Sequence, residues 1–158
     1  HTLPIQPELL ARHRSRWSPV VSLTWSRLAD HGPGWWPSLT EMAAEFDLPR
    51  ATFYRALARL ASAELIGMTS RRNMGIWIWW IQTRVGQRID RSQAPVWVIR
   101  DVLAPRAAPV RVPIERMLTW GDRRGIPRKT LHNWMAGHQV RLRNRWEIVA
   151  GPHPTVVG

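Results

Sequence analysis

The chain has 158 residues, of which 44% are hydrophobic and 11 are tryptophan, enough for one ordinary domain or two small ones with real cores. Lys and Arg outnumber Asp and Glu by 23 to 11, and the resulting net charge of +12 favours a polyanionic partner, with nucleic acid expected rather than a merely solvated basic surface. With no cysteine, disulfides and thiolate metal sites are excluded; no apolar run reaches the length of a membrane span and no secretory signal is visible, so no membrane partner is expected and the expected location is cytoplasmic, at the nucleoid.

Residues 1–16 read as an N-terminal arm, and a start at His1 instead of Met suggests a tag remnant or a fragment boundary. A first module is expected over 17–81. Val20, Val21, Leu23, Trp25 and Leu28 predict a helix with a broad apolar face, ended by the breaker cluster Asp30-His31-Gly32-Pro33-Gly34. Ser38 and Glu41 form a capping box, Ser-x-x-Glu, that opens a second helix with Met42, Ala43 and Phe46 inward. Asp47-Leu48-Pro49 makes the turn, and a third helix follows from Arg50 to Ser62, with Phe53, Ala56, Leu57 and Leu60 at the i, i+3, i+4, i+7 spacing of a buried face.

The opposite face of this third helix carries Ala51, Tyr54, Arg55 and Ala58, with Arg50 and Arg59 on its flanks. Small and basic residues together let a helix sit deep in a major groove, and the Thr52 hydroxyl in the first turn suits a phosphate. An ordinary amphipathic helix with a charged outer face is the alternative. Two strands are then expected, Leu65–Thr69 and Met74–Ile81, around Ser70-Arg71-Arg72-Asn73, a hairpin whose basic tip suits a phosphate backbone or minor groove. In the second strand Ile76, Ile78 and Trp80 alternate with Trp77, Trp79 and Ile81, so both faces should be covered, one by the first module and the other by the second module or another subunit. The two halves are expected to touch, and an aromatic patch that stacks nucleobases is the alternative.

Residues 82–113 read as a basic, Pro-containing connector: Gln82 to Asp90 as linker or helix extension, 95–100 as a strand, and Ala104 to Pro113 as a stiffer segment. A second, smaller module is expected over 114–150, followed by a tail at 151–158. Ile114, Met117 and Leu118 begin a helix that ends near Arg124-Gly125. After it, Ile126-Pro127-Arg128-Lys129-Thr130-Leu131-His132-Asn133-Trp134-Met135 repeats the pattern of Leu48-Pro49-Arg50-Ala51-Thr52-Phe53-Tyr54-Arg55-Ala56-Leu57, with Pro, Arg and Thr identical. Leu131, Trp134 and Met135 face inward; Lys129, His132, Asn133 and Ala136 share the outward face beside Arg128. Val140–Arg143 and Arg145–Val149 alternate as strands around Asn144, a second small hairpin carrying Arg141, Arg143 and Arg145.

Residues Trp36 to Ala43, the run Arg50-x-Thr52-x-x-x-Ala56-Leu57-x-x-Leu60, and Leu65-Ile66 resemble the GntR-type winged helix and, still more, the winged helices of phage and plasmid replication proteins. Two departures are Pro49 in place of the usual Ser, which removes a side-chain cap, and Glu64 where Gly is common, which should alter the turn into the hairpin. Gly125 to Trp134 and the basic hairpin behind it resemble the compact winged helix of excisionase and MerR-type regulators, without the long dimerising helix, so ligand sensing is not implied.

These readings predict an α+β fold, mainly α, of two winged helix-turn-helix modules with short β-hairpin wings packed against each other. The resemblances imply binding to double-stranded DNA through Ser38, Arg50, Thr52, Tyr54, Arg55, Arg71, Arg72 and Asn73 in the first module. In the second they imply Arg128, Lys129, Thr130, His132, Asn133, Arg141, Arg143, Asn144 and Arg145. The expected role is a repressor-like transcriptional regulator or excisionase-like factor of a phage, plasmid or mobile element, reading a bipartite site. The DNA-recognition part of a replication initiator or transposase is the alternative, and such a fragment would continue into a further domain. Either a monomer on an asymmetric site or a homodimer fits. No enzyme, cofactor or metal is expected: Glu41, Glu45 and Asp47 suit a charged helix side, the histidines lack His-x-x-x-His spacing, and no phosphate loop with Lys occurs.

Overall fold

A computed structural model describes residues 18–90 and 94–152; the expected N-terminal arm and residues 153–158 of the expected tail lie outside the described residues. The elements are α1 (Pro19–His31), β1 (Gly34–Trp36), α2 (Leu39–Glu45), α3 (Arg50–Ser62), β2 (Ile66–Arg71), β3 (Gly75–Gln82), β4 (Arg88–Asp90), β5 (Val96–Asp101), β6 (Val110–Pro113), α4 (Ile114–Arg123), α5 (Arg128–Met135), β7 (Arg141–Leu142) and β8 (Trp146–Ala150). The chain is thus α+β, with two four-stranded antiparallel sheets. Among the described residues no helix is long and apolar enough to cross a membrane. Two compact units form, one from 18–34, 38–70 and 76–90, the other from 35–37, 71–75 and 94–152.

In the first unit α1 starts at Ser18, whose hydroxyl accepts from the Val21 amide, with Pro19 in the first turn where its missing N–H costs nothing. Trp25 and Leu28 are fully buried, and the Trp25 indole N–H donates to the Gln82 carbonyl at 2.8 Å, tying α1 to the end of β3. α3 buries the expected stripe of Phe53, Ala56, Leu57 and Leu60 against α1 and α2. The Phe46 and Phe53 rings stack at 5.6 Å.

The sheet of this region runs β1-β3-β2, with β4 also on β3. Two of these strands depart from expectation. The Gly/Pro cluster ends α1 but leads straight into β1, and the polar stretch expected as linker or helix extension forms β4, paired through Trp80–Asp90, Ile81–Ile89 and Gln82–Arg88. Three-residue strands show no periodicity of their own; pairing with the long β3 makes them. β3 itself departs from full coverage on both faces. Ile76, Ile78 and Trp80 are buried, and on the other face Ile81 is fully buried, yet Trp77 is half-buried and Trp79 is 36% exposed. Gly67 on β2 permits the close fit there, since a Cβ would stand 2.0 Å from the Trp80 indole nitrogen.

The second unit holds a sheet of order β6-β5-β8-β7. β5 appears where a strand was expected, but β6 lies in the stretch expected as stiff connector; its partners are Val96–Pro113, Trp97–Val112, Val98–Arg111 and Ile99–Val110. An edge strand tolerates proline, which is why Pro113 can close β6 and also cap α4. β8 pairs with β5 on one side and β7 on the other, so the expected small hairpin is built into the sheet and is no free wing. Trp120 and Trp134 stack at 5.6 Å with Trp146 edge-on to Trp120, and Trp97 is fully buried, its edge-on partner Trp35 5.0 Å away. Gly121 lets α4 and α5 approach: a Cβ there would lie 2.8 Å from a Leu131 methyl.

The repeated sequence pattern is a repeated structure. α2 ends with Asp47 left-handed at φ 57° and the Leu48 amide donating to the Ala43 carbonyl at 3.0 Å. α4 ends with Gly125 at φ 66° and the Ile126 amide donating to the Gly121 carbonyl, also at 3.0 Å. Pro49 and Pro127 then start the next helix with matching backbone, φ −59° and ψ 141° against φ −58° and ψ 141°, and neither helix has a side-chain cap. The same closing bond ends α3, from Leu65 to Leu60, and α5, from His138 to Asn133.

Glu64 therefore does not alter the turn into the hairpin. It adopts φ 57°, as glycine would, because the bond from Leu65 and the burial of that side chain hold it there. Glu64→Gly should raise stability by about 0.5–1 kcal/mol, the left-handed penalty of roughly 1–2 kcal/mol less the larger unfolded-state entropy of glycine. A urea midpoint that does not move upward would contradict a strained Glu64.

Candidate nucleic-acid interface

On α3 the residues singled out in the sequence lie together on one open face. Arg50, Ala51, Tyr54, Arg55 and Ala58 are exposed, Thr52 is half-buried, and Tyr54 retains 54% of its surface. Among the described residues the guanidinium groups of Arg50, Arg55 and Arg59 make no hydrogen bond or ion pair. Thr52, Arg55 and Arg59 also border a shallow hollow beside Ser18, Val20 and Val21 of the α1 start. Because Pro49 offers no side-chain acceptor, the first-turn amides of α3 stay open to an anion. Ser38 differs: its hydroxyl accepts from the Glu41 amide at 3.1 Å and approaches the Glu41 carboxylate, so it is spent as a helix cap.

Arg71 and Arg72 at the β2–β3 tip are exposed, and Asn73 is half-buried at φ 63°, the left-handed turn position that asparagine tolerates. The turn closes through the Met74 amide on the Arg71 carbonyl at 3.0 Å. These tip residues belong to the second unit, where the Met74 carbonyl accepts the Trp35 indole N–H at 2.8 Å.

α5 presents a more committed face than the sequence suggests. Lys129 is exposed and unpaired among the described residues, and Arg128 is exposed but 3.5 Å from Asp122. Thr130 and Asn133 are half-buried. The His132 Nε2–H donates to the Pro37 carbonyl at 2.6 Å, and Ala136 is buried, so the expected outward face of His132, Asn133 and Ala136 is largely internal.

The arginines of the β7–β8 hairpin are likewise engaged. Arg141 donates to Glu147 at 3.2 Å, and Arg100 reaches the other oxygen of that carboxylate at 2.9 Å. Register explains the triad: Glu147 lies opposite Arg100 on β5 and opposite Arg141 on β7. Arg145 forms a two-pronged pair with Asp101, at 3.1 and 2.9 Å, and its guanidinium lies over the Trp146 indole, 4.4 Å from the ring centre. Arg143 and Asn144 both occupy left-handed positions, φ 53° and 54°, in the three-residue connection that the Arg145 amide closes on the Leu142 carbonyl at 3.1 Å. From there Arg143 donates to the Arg124 and Gly125 carbonyls at 3.1 and 2.6 Å, which closes the end of α4.

Arg111, Arg116, Arg123 and Arg124, none of them among the candidate residues of the sequence, border one groove of the second unit. The i, i+7 spacing of Arg116 and Arg123 was a legible sign of a shared helix face; the addition of Arg111 needed the unforeseen β6. Among the described residues no cluster of three or more His, Asp or Glu could hold a metal ion. No family model matches the chain, and neither a curated protein nor a solved structure matches it.

Two outcomes follow from these pairs. The Arg145 hydrogen bond, chief among the causes, lowers the Asp101 carboxyl below its ordinary range against an opposing effect of burial. A lowered folded-state value means stability that is present above the ordinary carboxylate range and lost as pH falls through the lowered one. Asp101→Asn should flatten the acid limb of a urea-midpoint profile, and an unchanged limb would show the pair to be idle. Arg143→Ala should lower the melting temperature by removing two bonds to helix-end carbonyls, about 1–3 kcal/mol in all. A variant that weakens nucleic-acid binding with no change in melting would instead place Arg143 at the ligand.

Proposed function

We propose that this chain binds double-stranded DNA in a sequence-dependent way, with α3 as its principal reading helix. The observation that carries the reading is the α3 outer face: small Ala51 and Ala58 flank Tyr54 and Arg55, all exposed, on a helix whose arginines have no partner among the described residues. Arg fits guanine edges as a rigid fork, and Ala lets the helix approach them. The order helix, strand, two helices joined by a tight turn, then a two-stranded hairpin supports a winged helix-turn-helix over this part of the chain.

In this reading Arg50 and Thr52 grip phosphates at the start of α3, while Arg71, Arg72 and Asn73 touch backbone or minor groove from the hairpin tip. The second helix pair serves affinity more than base reading. Lys129 and Arg128 contact phosphate from the first turn of α5, and His132 is a positioning residue held by the Pro37 carbonyl. A net charge of +12 supplies the long-range attraction. The biological role that suits such a binder is a repressor-like or excisionase-like factor of a phage, plasmid or mobile element, acting at the nucleoid. Because α3 and α5 carry different outer residues, a monomer would meet an asymmetric bipartite site.

Selecting bound duplexes from a random pool and titrating the winner tests this. Arg55→Ala should relax the base preference at one step and cost roughly 1–3 kcal/mol on the selected site, with little change on unrelated duplex. A pool that yields no preferred sequence, or an Arg55→Ala variant that reads the winner as well as the parent does, would overturn α3 as the reading helix.

A further inference from the structure

The structure holds a basic groove apart from the faces considered so far, between the edge strand β6 and helix α4. Its walls carry Arg111, Arg116, Arg123 and Arg124, and Trp120 with Pro113 forms part of its apolar lining. Arg116 and Arg123 stand one heptad apart on α4, a rise of roughly 10 Å along the helix. Arg111 joins them from the strand, exposed like both of them.

What separates these arginines from Arg100, Arg128, Arg141 and Arg145 is the placement of carboxylates. Asp101 is taken by Arg145, Glu147 by Arg100 and Arg141, and Asp122 by Arg128. No carboxylate lines the groove, and among the described residues Arg111, Arg116 and Arg123 have no ion pair. Arg124 is already ordered: it donates to the Trp120 carbonyl at 3.0 Å and lies 4.3 Å over the Trp120 ring. Burial, and then the positive charges of Arg145 and Arg123, push its guanidinium below the usual arginine range, as expected where positive charge is left uncompensated.

We propose that the β6–α4 groove binds the phosphodiester backbone of a nucleic acid, giving this chain a sequence-blind anchoring site distinct from the α3 face. The spacing and the planar forks suit successive phosphates, and the Trp120 wall excludes water from one side of the ion pairs. The inference deepens the DNA-binding reading and rests on it only for the class of ligand. An edge strand could also recruit an extended peptide, but three unpaired guanidinium groups favour a polyanion over a neutral chain.

The test titrates the full chain against a fluorescein-labelled duplex of mixed sequence and against an oligothymidine strand, across a salt series. Arg116→Ala and Arg123→Ala should each weaken binding to every sequence alike and reduce the salt slope by about one unit. Arg100→Ala removes the same charge from a site where Glu147 already neutralises it, and should leave the slope unchanged. Melting temperatures of the two groove variants should match the parent, whereas Arg100→Ala should lose only the small stabilisation of an exposed cross-strand pair. Groove variants with the parent's slope would overturn the proposal, whatever Arg55→Ala does to base preference. A parent that binds neither probe, or is displaced equally well by polyglutamate at matched charge, would overturn it as well. Loss of slope in the groove variants alongside an inert Arg55→Ala would sink α3 as the reading helix and leave the groove standing.

Discussion

A helix closed by a left-handed residue, with the next amide bonded five residues back, is the constraint on which both helix pairs depend. At Asp47-Leu48-Pro49 and again at Gly125-Ile126-Pro127 this bond satisfies an end carbonyl and turns the chain. It also directs an apolar side chain inward: Ile126 is buried and Leu48 half-buried. The proline that follows has a fixed φ suited to starting a helix and brings no side-chain acceptor. Each second helix thus begins with unspent amides and an outward arginine, Arg50 or Arg128. One local device supplies both the packing angle and the anion-facing end.

The two copies of that device have diverged in what surrounds them. α3 keeps its outer arginines free, whereas α5 has Arg128 near Asp122 and His132 bonded to a backbone carbonyl. Most of the difference comes from carboxylate placement. In the second unit the sheet register sets Glu147 between two arginines and Asp101 beside a third, so three arginines of β5 and the small hairpin are neutralised within the fold. Those cross-strand pairs hold the sheet more than they serve a ligand, and being exposed they contribute modestly one by one. Among the described residues, the positive charge that remains available lies chiefly on α3, the β2–β3 tip, the start of α5 and the β6–α4 groove.

The helices were legible because their apolar residues recur at helical spacing over several turns. α3 runs from Arg50 to Ser62 as its stripe predicted, and Ser38 caps α2 as the Ser-x-x-Glu box predicted. The candidate residues on α3 kept their expected exposure for the same reason: a helix that buries Phe53, Ala56, Leu57 and Leu60 must turn Tyr54 and Arg55 outward. β1, β4 and β6 were not legible. Each has only three or four residues, and a neighbour many positions away decides whether so short a stretch is a strand. The engagement of Arg141, Arg143 and Arg145 was hidden likewise, since the atoms that bind them come from β5, β8 and the end of α4.

By itself, then, the amino-acid order determined the local matters: the five helices of the described residues, their inward stripes, the duplicated turn, the excess of positive charge and the absence of thiol chemistry. These depend on neighbours within a few residues, where periodicity, proline and capping act directly. Tertiary structure alone decided which arginines remain available, since ion pairing depends on register between strands far apart in the chain. It also decided that the β7–β8 hairpin is built into a sheet, because β8 finds β5 across more than forty residues, a pairing that no local pattern encodes.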